Sequence, residues 1–573
     1  MADFRDLVAK ALGKALPPAI TNEQVSKSIE TPPDRKMGDY AFPCFSLSPL
    51  LKKSPQEIAK ELKGKVGLPK GIERVEAAGP YLNFFVSKKG LAKETISGIL
   101  AEKDKYGRNS LRKGDRILVE YSSPNTNKPL HIGHTRNDSL GMAVSKILEN
   151  SGAKVVRANL LNDRGIHICQ SMLAYMRWSS RESPKVAGIK GDRFVGNYYT
   201  MFAQKAKEDD SFKEQAQRYL RQWEAGDKEI RKLWKTMSGW ALEGFKQTYK
   251  EFGSEFDVWF KESEFYNKAK PIIDEGIEKK IFRKNEQGAL VADLDSDKDG
   301  IPNKTVLRSD GTSIYLTNDL ALTKHKFQKY RLDEAIWVVA SEQNLYFRQL
   351  FRIFEKLGYK WSGKCKHLSY GMVFLPEGRL KSREGRIIEA DELLEMVKAL
   401  ARKEIEKRHK LPKHVLEMRI STIALAAIKF FMLRIDASKD MVFDMKKAVS
   451  FDGETGPYVQ YTYARAKSIL RKYKKNHASP DYSLMDSGQE HRLVSLLAEF
   501  PSVVEQSTRT LSPHTICHCL ISLSEAFNSF YHSFPVLEAE PGLREARVEL
   551  VEAVSQVLKN GLALLNIDVL EEM

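Results

Sequence analysis

Between Asp115 and Asn162 the apolar positions change period twice, and the change predicts a strand, a loop, a helix and a second strand. Arg116-Ile117-Leu118-Val119-Glu120-Tyr121 is a short β-branched and aromatic run bounded by Gly114 and Pro124, as a buried strand would be. Leu140, Ala143, Val144, Ile147 and Leu148 then recur at helical spacing, with Gly152 where a helix C-cap falls. Lys154 to Leu160 is extended again, so the whole is one βαβ crossover.

The same pattern continues on either side. Phe4, Leu7, Val8 and Leu12 make a helical stripe, Ser54-Pro55 opens a second helix with an N-cap and a first-turn proline, and Tyr81 to Val86 is strand-like. Residues 1–112 are therefore expected to form a small α+β module. Across 113–395 strands and helices alternate, and Ala335 to Ala340 is a further buried strand. Phe347, Leu350, Phe351, Phe354 and Leu357 continue it as an amphipathic helix. The charged, aromatic-rich stretch 181–260 is expected to be a helical insertion between the halves of a doubly wound sheet. Residues 396–452 form a helical connection, and Gly453-Glu454-Thr455-Gly456-Pro457 marks the boundary of a last helical bundle over 453–573. The fold class is multidomain, α/β followed by α.

A chain of 573 residues suggests about three or four domains. The formal charge of +17 favours a polyanionic partner. Five scattered cysteines point to a reducing compartment, and Asp3 and Asp6 argue against a transit peptide. The most apolar segment, Ile423 to Leu433, is too short to span a bilayer, so a cytoplasmic protein with no membrane partner is expected.

The candidate chemistry lies in the loop of the crossover, Ser123-Pro124-Asn125-Thr126-Asn127-Lys128-Pro129-Leu130-His131-Ile132-Gly133-His134. A helix N-terminus attracts phosphate, and two histidines one turn apart add donors for charge developing on a phosphoryl oxygen. Gly133 lacks a Cβ, so a flat base or ribose could lie against the backbone. No Gly-x-x-x-x-Gly-Lys-Ser/Thr run and no Gly-x-Gly-x-x-Gly run offers another phosphate cradle.

His131-Ile132-Gly133-His134 resembles the HIGH signature of class I aminoacyl-tRNA synthetases. The longer string from Ser122 to Asn137 resembles the arginyl-tRNA synthetases in particular. The resemblance implies a Rossmann-like parallel-sheet catalytic domain, a small N-terminal domain touching the tRNA elbow, and an anticodon-binding helical bundle. It also implies ATP-dependent activation of L-arginine, assisted by Mg²⁺, transfer to tRNA(Arg), a requirement for tRNA in the first step, and a monomer. Arg379-Leu380-Lys381-Ser382-Arg383 is similar to a degenerate form of the second class I signature. Lys128, just ahead of the first, occupies the place of a lysine that compensates. By resemblance His131, Gly133, His134, Lys128, Lys381 and Arg383 are catalytic, and His131, Gly133, His134, Arg379, Lys381 and Ser382 meet the nucleotide.

The same resemblance places Ser123, Pro124, Asn125, His134, Tyr315, Asp319 and Gln343 around arginine, with Glu120 and Asp319 facing its guanidinium. Charge agrees: a guanidinium wants paired carboxylate acceptors, and Glu120 on a buried strand would be costly without a cationic guest. Tyr315 and Asp319, four apart, share one face of a helix. Asn318, Ala340 and Tyr346 depart from the family's usual residues. Tyr458, Tyr461, Arg465 and Lys467 are the candidate tRNA contacts, on a basic run that continues through Arg471, Lys472, Lys474 and Lys475 with Tyr463 and Tyr473 interleaved.

Two apparent metal motifs are set aside. Asp295 to Gly300 mimics the start of a calcium loop, but the twelfth position is Val306. His514, Cys517, His518 and Cys519 sit in an apolar helical context without a second ligand pair, so packing is expected and no metal site. Two rivals remain: a cysteine-specific synthetase, which would need a zinc ligand set near the pocket, and a non-catalytic tRNA-binding relative, which the paired histidines oppose.

Overall fold

The structure is a computed structural model that describes residues 4–17, 20–30, 32, 37–69, 71–295, 300–376, 388–407, 410–474 and 478–573. The basic stretch holding Arg379, Lys381, Ser382 and Arg383 lies outside the described residues, as do 296–299 of the acidic turn and Lys475. The N-terminal part is an antiparallel sheet of β1 (Tyr40–Pro43), β2 (Ile72–Ala78) and β3 (Tyr81–Val86), ordered β1-β3-β2. The Pro55–Lys65 helix packed on it starts with a reciprocal cap between Ser54 and Glu57.

The central sheet holds β4 (Arg116–Glu120), β5 (Lys154–Leu161), β6 (Val258–Lys261), then β10 (Glu334–Ala340) and β11 (Cys365–Tyr370). Between β6 and β10 a separate antiparallel sheet intervenes, β7 (Phe282–Lys284), β8 (Leu290–Ala292) and β9 (Lys304–Leu307), in which Val306 is fully buried. The central order is β11-β10-β4-β5-β6, parallel throughout, so the chain's direction of winding reverses between β4 and β10. That reversal opens a crevice beyond the carboxyl ends of those strands.

Alternation along the strands sorts the two faces. Ile117, Val119, Ile336 and Val338 pack with the Ile132–Asn150 helix and the C-terminal bundle, whereas Leu118, Ala335 and Trp337 pack with Leu316, Leu320 and Leu350 on the other side. The bundle thus shares its core with the central sheet.

Two boundaries differ from the sequence expectation. Helices fill 184–252, but Val258–Lys261 is edge strand β6, because the aromatics Trp259 and Phe260 serve two cores rather than an insertion's surface. The Lys88–Glu102 helix, expected with the N-terminal module, packs on the C-terminal bundle, where the Tyr106 hydroxyl donates to the Leu497 carbonyl at 2.8 Å. A strand Val373–Phe374 (β12) pairs with Met441–Val442 (β13), joining the stretch after the sheet to the connection.

Candidate active site at the carboxyl edge of the parallel sheet

The loop leaving β4 is held in an unusual conformation. Ser122 and Ser123 both have positive φ, 70° and 49°, which costs of order 1–3 kcal/mol per residue and persists only if the surroundings enforce it. They do. The Ser122 amide donates to Asn137 Oδ1 at 2.6 Å, and Asn137 Nδ2 donates to the Val338 carbonyl at 2.8 Å, so one side chain ties the loop to β10. Ser123 N donates to Asn159 Oδ1 at 3.2 Å, and Asn162 Nδ2 donates to the Ser123 carbonyl at 2.9 Å. Pro124 accepts from the Asn162 amide at 3.0 Å, which leaves the Asn125 side chain exposed at the crevice.

His131 is the N-cap of the Ile132–Asn150 helix. Its Nδ1 accepts from the Gly133 amide at 3.1 Å, and the His131 amide donates to His134 Nδ1 at 3.1 Å. The rings lie 4.0 Å apart. Burial, with Lys128 nearby, lowers the His131 pKa to about 4 and holds His134 well below its usual value. Both imidazoles are neutral at pH 7, and with Nδ1 accepting, the ring proton of each sits on Nε2. Capping and catalysis are therefore not alternatives: Nδ1 caps, and Nε2–H remains a donor. Gly133 has a reason the sequence did not reveal, since a Cβ there would stand 3.0 Å from His131 Cε1 and displace the cap. Lys128 is partly buried and its ammonium pKa is lowered by that burial.

Across the crevice, Tyr315–Tyr330 is a helix, so Tyr315, Asn318 and Asp319 share a face. Asp319 accepts from the Tyr346 hydroxyl; burial raises its pKa to about 6, against the pull of Tyr346 and Lys326 and with a push from Glu120. The Tyr346 hydroxyl thus orients the carboxylate. Tyr315 is exposed, standing by Gly165 at the start of the Ile166–Trp178 helix, and Gln343 is exposed just past β10.

The expectation that Glu120 awaits a cationic guest is corrected. Lys326 Nζ donates to Glu120 Oε2 at 2.5 Å, both side chains are buried, and the ammonium lies 5.3 Å from the Phe260 and Trp337 ring centres. The charge of Glu120 is already matched. Glu262 was not singled out by sequence reasoning. It takes Asn318 Nδ2 at 3.0 Å, and burial, joined by Asp319 and Asp163, pushes its pKa up to about 8, so it is largely neutral at pH 7.

The model for tRNA synthetases class I (R), catalytic domain, matches residues 95–445. The chain belongs to the arginyl-tRNA synthetases. Models for the arginyl tRNA synthetase N terminal domain and the DALR anticodon binding domain match 2–86 and 459–573 of this synthetase. It is 41% identical to an arginine–tRNA ligase of Treponema denticola, covering 97% of this chain and 96% of the relative. It is 39% identical to that of Treponema pallidum, covering 100% and 99%. The structure is similar to Thermus thermophilus arginyl-tRNA synthetase, with TM-score 0.83, 27% identity, and 99% and 100% of the two chains covered.

On the bundle of this synthetase, the Arg465 guanidinium sits over the Tyr461 and Tyr531 rings at 4.7 and 5.1 Å and bonds Asn528, whose Nδ2 donates to the Tyr458 hydroxyl at 3.0 Å. A cavity of 370 Å³ opens beside Tyr461 and Arg465. Lys467 faces Glu571, and Tyr463 is core rather than surface, so the aromatic interleaving is thinner than the sequence pattern implied. Cys517 is fully buried, His518 Nε2 lies 3.0 Å from the Arg434 carbonyl, and among the described residues no three potential ligands group as a metal site. All five cysteines are free. Among the described residues no helix is long and apolar enough to cross a membrane.

Proposed function

We propose that this chain is an arginine–tRNA ligase that uses the crevice between β4 and β10 for both steps of its reaction. An arginine carboxylate oxygen attacks the α-phosphorus of ATP, the bond to pyrophosphate breaks, and arginyl-adenylate forms. A ribose hydroxyl of the terminal adenosine of tRNA(Arg) then attacks the arginyl carbonyl, and AMP leaves. The single observation that carries the reading is the capped pair His131 and His134, two neutral Nε2–H donors on the helix N-terminus that follows β4. Such donors need no reorganisation when charge builds on the phosphoryl oxygens.

Around arginine, Asp319 takes the guanidinium, with Glu120 behind it, while Ser123, Pro124, Asn125, His134, Tyr315 and Gln343 line the rest. Gly133 leaves the helix start open to the nucleotide, and Arg379, Lys381, Ser382 and Arg383 are assigned to the nucleotide on their likeness to the second class I signature. Mg²⁺ is assigned to the ATP phosphates, and no residue of this chain is assigned to hold it. Tyr458, Tyr461, Arg465 and Lys467 are assigned to anticodon bases and phosphates, supported by the ring-flanked guanidinium and its cavity. The N-terminal module is assigned to the tRNA elbow, residues 396–452 to the connection, and the protein to the cytoplasm as a monomer.

The test is aminoacylation of tRNA(Arg) with each of the twenty amino acids, alongside ATP–pyrophosphate exchange with and without tRNA. Arginine alone should be charged, and exchange should need tRNA; charging of another amino acid in its place would overturn the reading. Lys128→Ala should lower kcat more than it raises the KM for arginine, since its ammonium borders the imidazoles rather than Asp319. A rise in arginine KM alone would refute that role.

A further inference from the structure

The helix that carries Tyr315 and Asp319 continues inward to a charge that the chemistry above does not use. Tyr315, Asp319 and Lys326 stand at i, i+4 and i+11 of Tyr315–Tyr330, so all three lie on one face. Burial deepens along that stripe, from an exposed Tyr315 through a half-buried Asp319 to a Lys326 that is 1% exposed. The Lys326 ammonium ends on Glu120, the last residue of β4, between the rings of Phe260 on β6 and Trp337 on β10. Trp337 is also the register partner of Glu120 across the parallel sheet, so one strand pairing sets both the ring and the carboxylate. Ring faces suit a desolvated cation.

Stability alone does not call for such a pair, because well-packed apolar residues of similar volume serve it as well or better. What the ammonium supplies is a positive charge close to two carboxyl groups at once. Without it Glu120 and Asp319 would repel each other, and like charges so placed resist being ionised together. Asp319 feels both neighbours. Its own burial and Glu120 push its pKa up, Tyr346 and Lys326 pull it down, and the carboxyl titrates at about 6. The other titratable or charged groups on that side are Lys304, 5.5 Å from the Tyr346 ring centre, and Glu262, largely neutral at pH 7.

We infer that Lys326 is a positioning residue for arginine recognition: it closes Glu120 into an ion pair, so that the crevice presents Asp319, and not two competing carboxylates, to the guanidinium. The inference rests on the assignment of Asp319 to arginine. The two halves of the pair should act with opposite sign. Lys326→Met removes the pull on Asp319, so the pH break in kcat/KM for arginine should move up by about one unit. Glu120→Gln removes the push and leaves the ammonium unmatched, so the break should move down by about one unit. The unmatched ammonium should also lower kcat/KM for arginine at pH 7 about tenfold. The double variant loses both effects, and its break should return to within about half a unit of the parent's. Lys326→Arg keeps the charge and should leave the break in place. The KM for ATP should stay within about twofold in all four, because the histidine helix packs on the opposite face of the sheet.

Melting temperatures are measured beside the pH profiles, and Asp319→Asn is run with them. Removing one partner of a buried pair destabilises, and where Lys326→Met unfolds, Glu120→Gln still reads the sign. Shifts of opposite direction that cancel in the double variant would support the inference. A break that stays put in either folded single variant, or moves the same way in both, would overturn it and leave the Asp319 assignment standing. Losses that only track the unfolded fraction would make the pair structural and also overturn it. An Asp319→Asn enzyme with the parent's kcat/KM for arginine would overturn the assignment, and the inference with it.

Discussion

His134→Ala should cut arginyl-adenylate formation by about two to four orders of magnitude, the size expected when a preorganised transition-state donor is removed. The alternative source of loss is the helix cap, and magnitudes separate the two. His134 Nδ1 accepts one backbone amide, and losing a cap of that kind costs about 1 kcal/mol. In a helix whose far face is buried from Leu140 to Leu148, that is too little to unfold it. The melting temperature should therefore shift by only a few degrees while exchange collapses. ATP–pyrophosphate exchange at saturating tRNA and arginine measures this directly, and an unchanged rate would remove His134 from the mechanism. The donor is the neutral ring, so lowering the pH from 8 to 7 should not switch it: with both imidazole pKa values held far below 6.5, no protonation step falls in that window.

Asp319→Asn is expected to lower kcat/KM for arginine by about two to three orders of magnitude, since truncating one partner of a buried charge pair costs about 2–5 kcal/mol. The charge bookkeeping of the pocket explains why Asp319 should matter more than Glu120. Glu120 and Lys326 cancel, Glu262 is largely neutral at pH 7, and of these three carboxyl groups Asp319 is the one left to match a guanidinium. The pH dependence follows with a definite sign. Burial raises the Asp319 pKa to about 6, and the guest binds the ionised form. So kcat/KM for arginine should be nearly level around pH 7 and fall about tenfold per unit once the pH is well below 6. In Asp319→Asn the break near pH 6 should vanish. A variant that keeps that break would show that another group sets it.

The locally encoded part of the fold was legible because its signals are short-range. The β-branched run of β4, the five apolar positions of the following helix and the Gly152 stop all lie within the span their periods describe, and the histidine pair lies at a helix start that those periods place. Tyr315 and Asp319 could be put on one helix face for the same reason. Residues 88–112 and 258–260 were misplaced because what settles them is the core they join, and an apolar pattern says that a face is buried without saying against what.

Glu120 illustrates the limit most sharply. The residue argues for a cation, and a cation is there, but it is Lys326, 206 residues along the chain. No period or spacing links the two. Arg136 is the same case seen from the other side: its identity in the string after the histidines is plain, while its five carbonyl partners come from 371–372 and 436–439. The amino-acid sequence by itself determined which groups this protein has and which of them lie at the ends of strands and helices, because those depend on torsional preferences and on apolar spacing within a few turns. Only the tertiary structure decided which charges are already matched and which stay free for a substrate, because pairing in a low-dielectric interior depends on distances between segments remote in sequence.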